Sequence, residues 1–432
     1  MRFKKGGDFI LLIYLILLLS YTIYFIYKVK KLKRISLFSW YLLGQVIFFI
    51  LPYIIIKLTN TDFKYVKYDK ATDIIGIIVL CLSNCIVLFI YKLLKMKSSV
   101  KKRQLKSLRI ISNSVIVWIK MIIYMFVIFS FLFCIYHIAD IGITNISNNM
   151  ILRARLSKLG PFAIVLMFPI GLSTYYWIKM IDGYSEKHII SKTMFLTVVS
   201  FIVGYSRGQR TDLILVILLP LLYLFIKKRN VKLLIYGAIG IVSFAAIYAM
   251  YFKVNTQGTE QSLIAMMKKI VIGEFDRNWT YWLSLGNSTL VDNTIMNDPY
   301  YGYFYTLLTY VPRSFVPFKG YSTESYFVYF MGNYYVNTWR VASLAQVNWG
   351  ITLSGITEAL INGGYIGVLF YSVIVGCSLS ILDKISNKYV YMSSCIPLIV
   401  LLISGYTFYN IIVIYSPILL TLYIFNRERY YA

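Results

Sequence analysis

Apolar residues run through this chain in blocks of about 15–25, broken by short polar strips, a rhythm that predicts helices crossing a membrane. Eleven spans fit the pattern: 9–27, 35–56, 74–94, 110–138, 161–178, 193–205, 213–226, 233–252, 355–381, 389–404 and 411–425. After the first comes the basic strip Lys28–Arg34 and no small-residue cleavage site, so 9–27 reads as an uncleaved membrane helix. Tyr300–Val311 is apolar enough to dip into the bilayer, but Pro312 and Pro317 break it, which favours a re-entrant or interfacial segment. The longest stretch without a spanning pattern is Lys253–Ser354. It carries Trp279, Trp282, Trp339 and Trp349, with seven basic residues against six acidic ones. That is too aromatic and too weakly charged for disorder, and long loops of this kind are commonly functional. Within it, Ser262–Ile272 reads either as an interfacial surface helix or as an ordinary packing helix. The expectation is an all-α polytopic membrane protein in three parts: a membrane bundle over 1–252, a large extracytoplasmic loop domain over 253–354, and membrane helices with a short tail over 355–432.

Composition agrees with that class, with 432 residues, 59% hydrophobic, and a mean hydropathy of +0.69. The net charge of +27 raises the question of a nucleic-acid partner, and its distribution argues against one. The strips 28–34, 92–109, 179–192, 227–232 and 383–388, with the tail after Phe425, hold 24 of the 44 Lys and Arg residues. Their only acidic residues are Asp182, Glu186, Asp383 and Glu428, so they carry +20 of the total. All fall on one side in alternation. By the positive-inside rule that side is the cytoplasm, the amino terminus lies outside, and the charge faces anionic lipid headgroups. The five cysteines (Cys81, Cys85, Cys134, Cys377, Cys395) lie in apolar runs, where they act as small hydrophobes. No disulfide framework follows from them, and no metal site.

Candidate chemistry starts at Val203–Leu213, VGYSRGQRTDL. The flanking apolar runs are 13–14 residues, short for a hydrocarbon core of about 30 Å, which would set Arg207 and Arg210 below the outer surface. If the turn continues a helix, the two guanidiniums share a face, and such a pair grips a phosphate or pyrophosphate in bidentate fashion. The other reading has them snorkelling to headgroups or pairing with Asp212. For a base that activates a sugar hydroxyl, the candidates are Glu358, beside Ser354, Gly355 and Thr357 at the outer start of a span, and Asp276 in GEFDRN. Helix capping by Glu358 and a solvated Asp276–Arg277 pair are the plain alternatives. Trp279, Trp282 and Trp339, next to Asn278, Asn337 and Arg340, suit stacking on sugar rings, whereas much of the tyrosine cluster over 300–335 also fits an interfacial aromatic belt. Lys120 is the clear intramembrane cation, set to meet a carrier phosphate or another helix.

Three stretches resemble the Wzy-type polymerases of O-antigen and capsular repeat units. These are the SRGQRTDLILVILL turn, the proline-flanked arginine of YVPRSFVP (Tyr310–Pro317), and LSGITEALINGGYIGVLFYSVIVG (Leu353–Gly376). They occur in the expected order across about 170 residues. The resemblance implies a multi-span glycosyltransferase, compatible with a glycosyltransferase type C-like arrangement, at the outer face of the bacterial cytoplasmic membrane. It would transfer a growing glycan from undecaprenyl pyrophosphate to the non-reducing end of the next lipid-linked unit, without nucleotide sugar, metal or other cofactor. Its candidate protein partners are a chain-length regulator and a flippase. It also implies that outer-loop arginines bind the pyrophosphate, here Arg207, Arg210 and Arg313, with Arg277 and Arg340 in supporting positions. A ligase acting on finished glycan, or a flippase or exporter of lipid-linked sugar, are the rival readings. The only histidines are His137, at the end of a span, and His188, in a basic strip, so the outer-loop histidine of the ligases is missing. A transporter would show several charges within its spans and paired halves.

Overall fold

A computed structural model of the protein describes residues 7–31, 35–58, 70–96, 113–141, 160–206, 210–228, 276–286, 301–308, 320–347, 353–384 and 415–426, with isolated positions at 232–233, 236–237, 240, 243, 311, 315–318, 391–392 and 394–395. Among these residues the regular structure is helical and there is no strand. In chain order the helices are α1 (Gly7–Lys31), α2 (Leu37–Gln45), α3 (Leu51–Leu58), α4 (Lys70–Met96), α5 (Asn113–Ile141), α6 (Phe168–Ile181), α7 (Ile189–Ser206), α8 (Arg210–Lys228), α9 (Asn278–Gly286), α10 (Tyr301–Leu307), α11 (Thr323–Tyr334), α12 (Gly355–Lys384) and α13 (Ser416–Asn426). A π-helical segment, Val46–Ile50, joins α2 to α3, and a 3₁₀ segment, Gly160–Met167, leads into α6.

Seven described segments are long and apolar enough to cross a membrane: Phe9–Val29, Leu37–Leu58, Ala71–Met96, Ser114–Ile141, Ile164–Ile181, Ile189–Ser206 and Gly355–Lys384. Ser416–Phe425 is apolar but shorter. The described helices establish a multi-pass α-helical membrane protein without accounting for all eleven expected spans. Most of 233–252 and 389–404 lies outside the described residues. The apolar runs at 193–205 and 213–226 are correspondingly longer as helices, 18 and 19 residues. Most of the added residues are charged or polar and sit at the helix ends, Ser191, Lys192 and Ser206 on α7 and Arg210, Asp212, Lys227 and Lys228 on α8. Thr193, Thr197, Ser200 and Ser206 each donate to the carbonyl four residues back at 2.7–2.8 Å, which hides the hydroxyl within its own helix.

Lipid-facing stripes are plain on the helix surfaces. On α1, Phe9, Leu12, Ile16, Leu19 and Ile23 are exposed at alternating steps of three and four, while Ile10, Tyr14 and Phe25 are buried on the other face. On α5 a still wider apolar surface, including Trp118, Met125, Ile128 and Leu132, is exposed. Patches this large are incompatible with water and fit hydrocarbon.

The chain forms two compact units: 1–100 with 268–384 and 398–411, and 101–267 with 385–397 and 412–432. In the first unit, α12 packs along α4. Ser83 and Ser372 share a hydrogen bond of 2.7 Å there, and Gly376 lets the backbone of α12 approach Val87 and Ile90. In the second unit, α6 packs against α7 and α13. Trp177 Nε1 donates to Thr197 at 2.9 Å, and Gly171 abuts Thr421. Lys120 lies with its ammonium 5.4 Å from the centre of the Phe425 ring, a cation–π contact between helices.

The long polar stretch is tied into the first unit at a defect in its second span. Pro52 has no N–H, so the Phe48 carbonyl loses its ordinary helical donor, and the chain opens into the π segment. The freed carbonyl and its neighbour are both bonded from outside. Arg277 N donates to Phe48 O at 3.2 Å, and Asn278 Nδ2 donates to Phe49 O at 2.9 Å. From this anchor α9 runs along α4, where Tyr281 Oη donates to Gly76 O at 2.9 Å and the Trp282 ring lies against the bare Cα of Gly76. Within the stretch the helix expected at Ser262–Ile272 lies outside the described residues, α10 falls inside the segment Tyr300–Val311, and α9 and α11 are helices that the sequence pattern did not single out. Both α9 and α11 are shorter than a span and interrupted by polar positions, so neither shows as an apolar block.

Two outcomes follow. A methyl group at Gly76 would enter the Trp282 ring, so Gly76→Ala should lower the thermal stability of detergent-solubilised protein by about 1–3 kcal/mol, and Trp282→Leu should recover part of that loss. Asp276 is buried with one carboxylate oxygen accepting from Asn278 N and Nδ2, both at 2.9 Å, and the other oxygen unpartnered. Burial pushes its pKa up to about 6 from 3.8, against the opposing pull of the Asn278 hydrogen bonds and Arg277. Because the folded state holds the proton more tightly than the unfolded state, stability is greatest below the unfolded value and declines as pH rises through about 6. Asp276→Asn should flatten that decline, measured as melting temperature against pH between 4 and 8.

Candidate functional site

Helix starts tend to gather polar chemistry, because their first N–H groups lack helical partners and their dipoles favour negative charge. In the first unit three of them meet. Ser354 caps α12, accepting from Thr357 N at 3.1 Å through its side chain and from Glu358 N at 2.8 Å through its carbonyl, and its hydroxyl also bonds that of Thr357. Ser322 caps α11 in the same way, accepting from Ser325 N at 3.2 Å. The third start is that of α10, where Gly302 N donates to Asn362 Oδ1 at 2.9 Å.

Glu358 stands in the first turn of α12 at this junction, 5% exposed, with its Oε1 3.5 Å from the Thr323 hydroxyl. Asn362, one turn further on, donates to Thr323 Oγ1 at 3.0 Å and to the Glu358 carbonyl at 2.8 Å. Glu324, in the first turn of α11, is close enough for its charge to repel that of Glu358. Chain geometry keeps the junction tight. A side chain at Gly302 would collide with Thr323 and Asn362. Just beyond Asn362, α12 is interrupted by non-helical backbone at Gly363 and Gly364, the latter at φ 56°, where a side chain would be strained. The expected continuous span at 355–381 is therefore two pieces. Residues 355–362 are buried in protein, whereas Tyr365, Ile366, Leu369 and Phe370 past the break are exposed as a lipid face would be. Gly367 closes the bend, its Cα against the Ala359 carbonyl.

The other residues singled out from the sequence have settings of their own or lie outside the described residues. Asp276 is the buried anchor at the π segment. Arg277 is half-buried, donating through Nη1 to Asp276 O at 3.2 Å with its guanidinium 5.9 Å from the Phe48 ring centre. Neither is the solvated pair that the sequence allowed. Trp282 is fully buried against Gly76 and Tyr53, which corrects its reading as a sugar platform: no ring face remains to stack on. Trp279 and Trp339 are half-buried at the edge of a cluster of Leu283, Phe327, Phe330, Met331, Leu353 and Ile361. Arg340 follows the 3₁₀ turn Asn337–Trp339 and is exposed. Arg207 and Arg313 lie outside the described residues, and Arg210 opens α8 with its side chain likewise undescribed.

Thr323, Glu324, Asn362 and Gly302 were missed by sequence reasoning. Their signals were the caps S-T-E-S at 322–325 and S-G-I-T at 354–357 and the helix-ending N-G-G at 362–364, which mark helix boundaries but not that the boundaries meet. Among the described residues no three His, Cys, Asp or Glu side chains gather as a metal site would require. What the junction offers chemically is a buried carboxylate met by the Thr323 hydroxyl, which the Asn362 amide holds in turn, able to accept a proton from a group brought to it.

No curated protein and no solved structure matches the chain. The model of the family described as O-antigen polysaccharide polymerase Wzy matches residues 7–431. Since that is nearly the whole length, this multi-pass helical membrane protein belongs to the Wzy family of O-antigen polysaccharide polymerases.

Proposed function

We propose that the protein joins oligosaccharide repeat units carried on undecaprenyl pyrophosphate, at the extracytoplasmic face of the bacterial cytoplasmic membrane, with Glu358 as the general base. Membership of a polymerase family supports the overall activity. The observation that carries the site is the burial of Glu358 where three helix starts converge, a costly place for a carboxylate that serves packing alone. The topology inferred has eleven spans, the basic strips in the cytoplasm and the stretch 253–354 outside.

In the reaction, an acceptor sugar hydroxyl at the non-reducing end of one lipid-linked unit gives its proton to Glu358. Its oxygen attacks the anomeric carbon of the growing chain. The bond from that carbon to the pyrophosphate oxygen breaks, and undecaprenyl pyrophosphate leaves with the bonding pair. The proton passes from Glu358 to water as the product moves on. Negative charge grows on the leaving phosphate oxygens, and preorganised guanidiniums lower that barrier. Arg207, Arg210 and Arg313 are the proposed set, with Arg277 and Arg340 in support. Trp279 and Trp339 supply aromatic edges for the glycan. Asp276, buried in an anchor, is the lesser candidate for the base.

The test is polymerisation of a purified lipid-linked repeat unit by the reconstituted protein, with product length read on gels. Glu358→Gln should slow chain growth on the order of 10²–10⁴-fold. Arg207→Ala and Arg210→Ala should each abolish long-chain product without removing the protein from the membrane. Normal chain lengths from Glu358→Gln would exclude it as the base.

A further inference from the structure

A buried carboxylate that works as a base needs one oxygen held and the other free, and the contacts around Glu358 supply such an asymmetry. Their direction can be worked out donor by donor. Gly302 N can only donate, so the Asn362 atom facing it is the carbonyl oxygen Oδ1. That fixes the amide the other way round: Nδ2 faces Thr323 Oγ1 and the Glu358 carbonyl, and spends its two hydrogens there. Thr323 Oγ1 thus accepts from Asn362, and its own hydrogen turns to the remaining acceptor, Glu358 Oε1. The order is Gly302 N–H to Asn362, Asn362 to Thr323, Thr323 to Glu358. All four groups are buried. The three helices contribute one link each, and none of these side chains is charged except Glu358 itself.

We propose that Thr323 and Asn362 are positioning residues for this reaction: with the Gly302 N–H as a fixed end, they hold Glu358 Oε1 and leave Oε2 to take the acceptor proton. The proposal rests on the reading of Glu358 as the base. The final link, 3.5 Å in the free protein, is long for a hydroxyl donor and shortens as substrate fills the junction, as catalytic hydrogen bonds commonly do. Gly302 is part of the device because any side chain there would displace both Thr323 and Asn362. The break at Gly363–Gly364 is the other part, since it ends the buried piece of α12 immediately after Asn362 and sends the lipid-facing piece away on a new course. The relay also ties α10 and α11, which belong to the long polar stretch, to the carboxylate they would serve.

The experiment compares Thr323→Val, Thr323→Ser, Asn362→Asp and Glu358→Gln in nanodiscs, with a purified lipid-linked repeat unit as substrate. It measures kcat, KM and melting temperature for each. Thr323→Val, which keeps the shape and removes the donor, should lower kcat about 10–100-fold with KM within about twofold, and Thr323→Ser should restore kcat. Asn362→Asp still accepts from Gly302 but, ionised, cannot donate to Thr323, so it should lose kcat. Because it buries a second acid its melting temperature should fall, and kcat is compared at a temperature where it is folded, which decides the matter if Thr323→Val fails to fold. On a Glu358→Gln background, Thr323→Val should cost nothing more. Wild-type kcat in both Thr323→Val and Asn362→Asp, a change confined to KM, or no rescue by serine overturns the relay while a dead Glu358→Gln leaves the base in place. A fully active Glu358→Gln overturns the base itself.

Discussion

A carboxylate enclosed by protein has to be met by donors or it destabilises whatever encloses it, and that requirement organises the first unit around Glu358. An unpaired buried charge costs several kcal/mol on the mutational scale. Here the compensation comes from helix geometry. Two serine caps fix where α11 and α12 begin, which sets Thr323 and Glu358 within reach of one another. A glycine at the start of α10 lets a third helix approach closely enough to orient Asn362. Two further glycines then end the buried piece of α12. Of these, Gly302 and the cap of α11 bear most directly on the Thr323 hydroxyl, the carboxylate's partner.

The same economy of partners appears wherever acid meets the basic strips. Asp383 accepts from Tyr91 at 2.6 Å and from Lys95 at 3.3 Å. Asp182 accepts from Tyr223 at 2.7 Å and Lys227 at 3.1 Å, and Glu186 from Lys179 and Lys192, both at 2.8 Å. In most of these pairs the lysine reaches from a more exposed position to an acid that is partly or largely buried, and the bonds tie helix ends together. Far more of the positive charge in those strips is left over, and it suits an anionic lipid surface.

Hydropathy was enough to reveal the class of protein and most of the spanning helices, because lipid-facing residues such as Leu12, Ile16 and Leu19 must be apolar whatever they pack against. It failed where helices are short and partly polar. Asn278–Gly286, with Asn278, Thr280 and Ser284 buried, has no apolar block to find, yet its start is anchored more than 200 residues earlier, on the Phe48 carbonyl that Pro52 frees and on the Phe49 carbonyl beside it. Glu358 stood out in the sequence as a lone acid at the start of a span. Its companions did not, since Thr323 and Asn362 are ordinary residues whose importance comes from three helix starts meeting, a long-range fact that local spacing does not encode. Trp282 erred in the opposite sense: a tryptophan in a polar stretch invites a sugar-binding role, and only the bare Cα of Gly76 explains why it packs inward instead.

The central claim is that the acceptor sugar comes to the junction of α10, α11 and α12. A repeat-unit analogue with a photoreactive group on its non-reducing terminal sugar, irradiated with the protein in nanodiscs and mapped by mass spectrometry, tests this most directly. The account predicts cross-links to peptides spanning 320–334 and 353–362. Cross-links confined to 189–228, with none in those peptides, would contradict it.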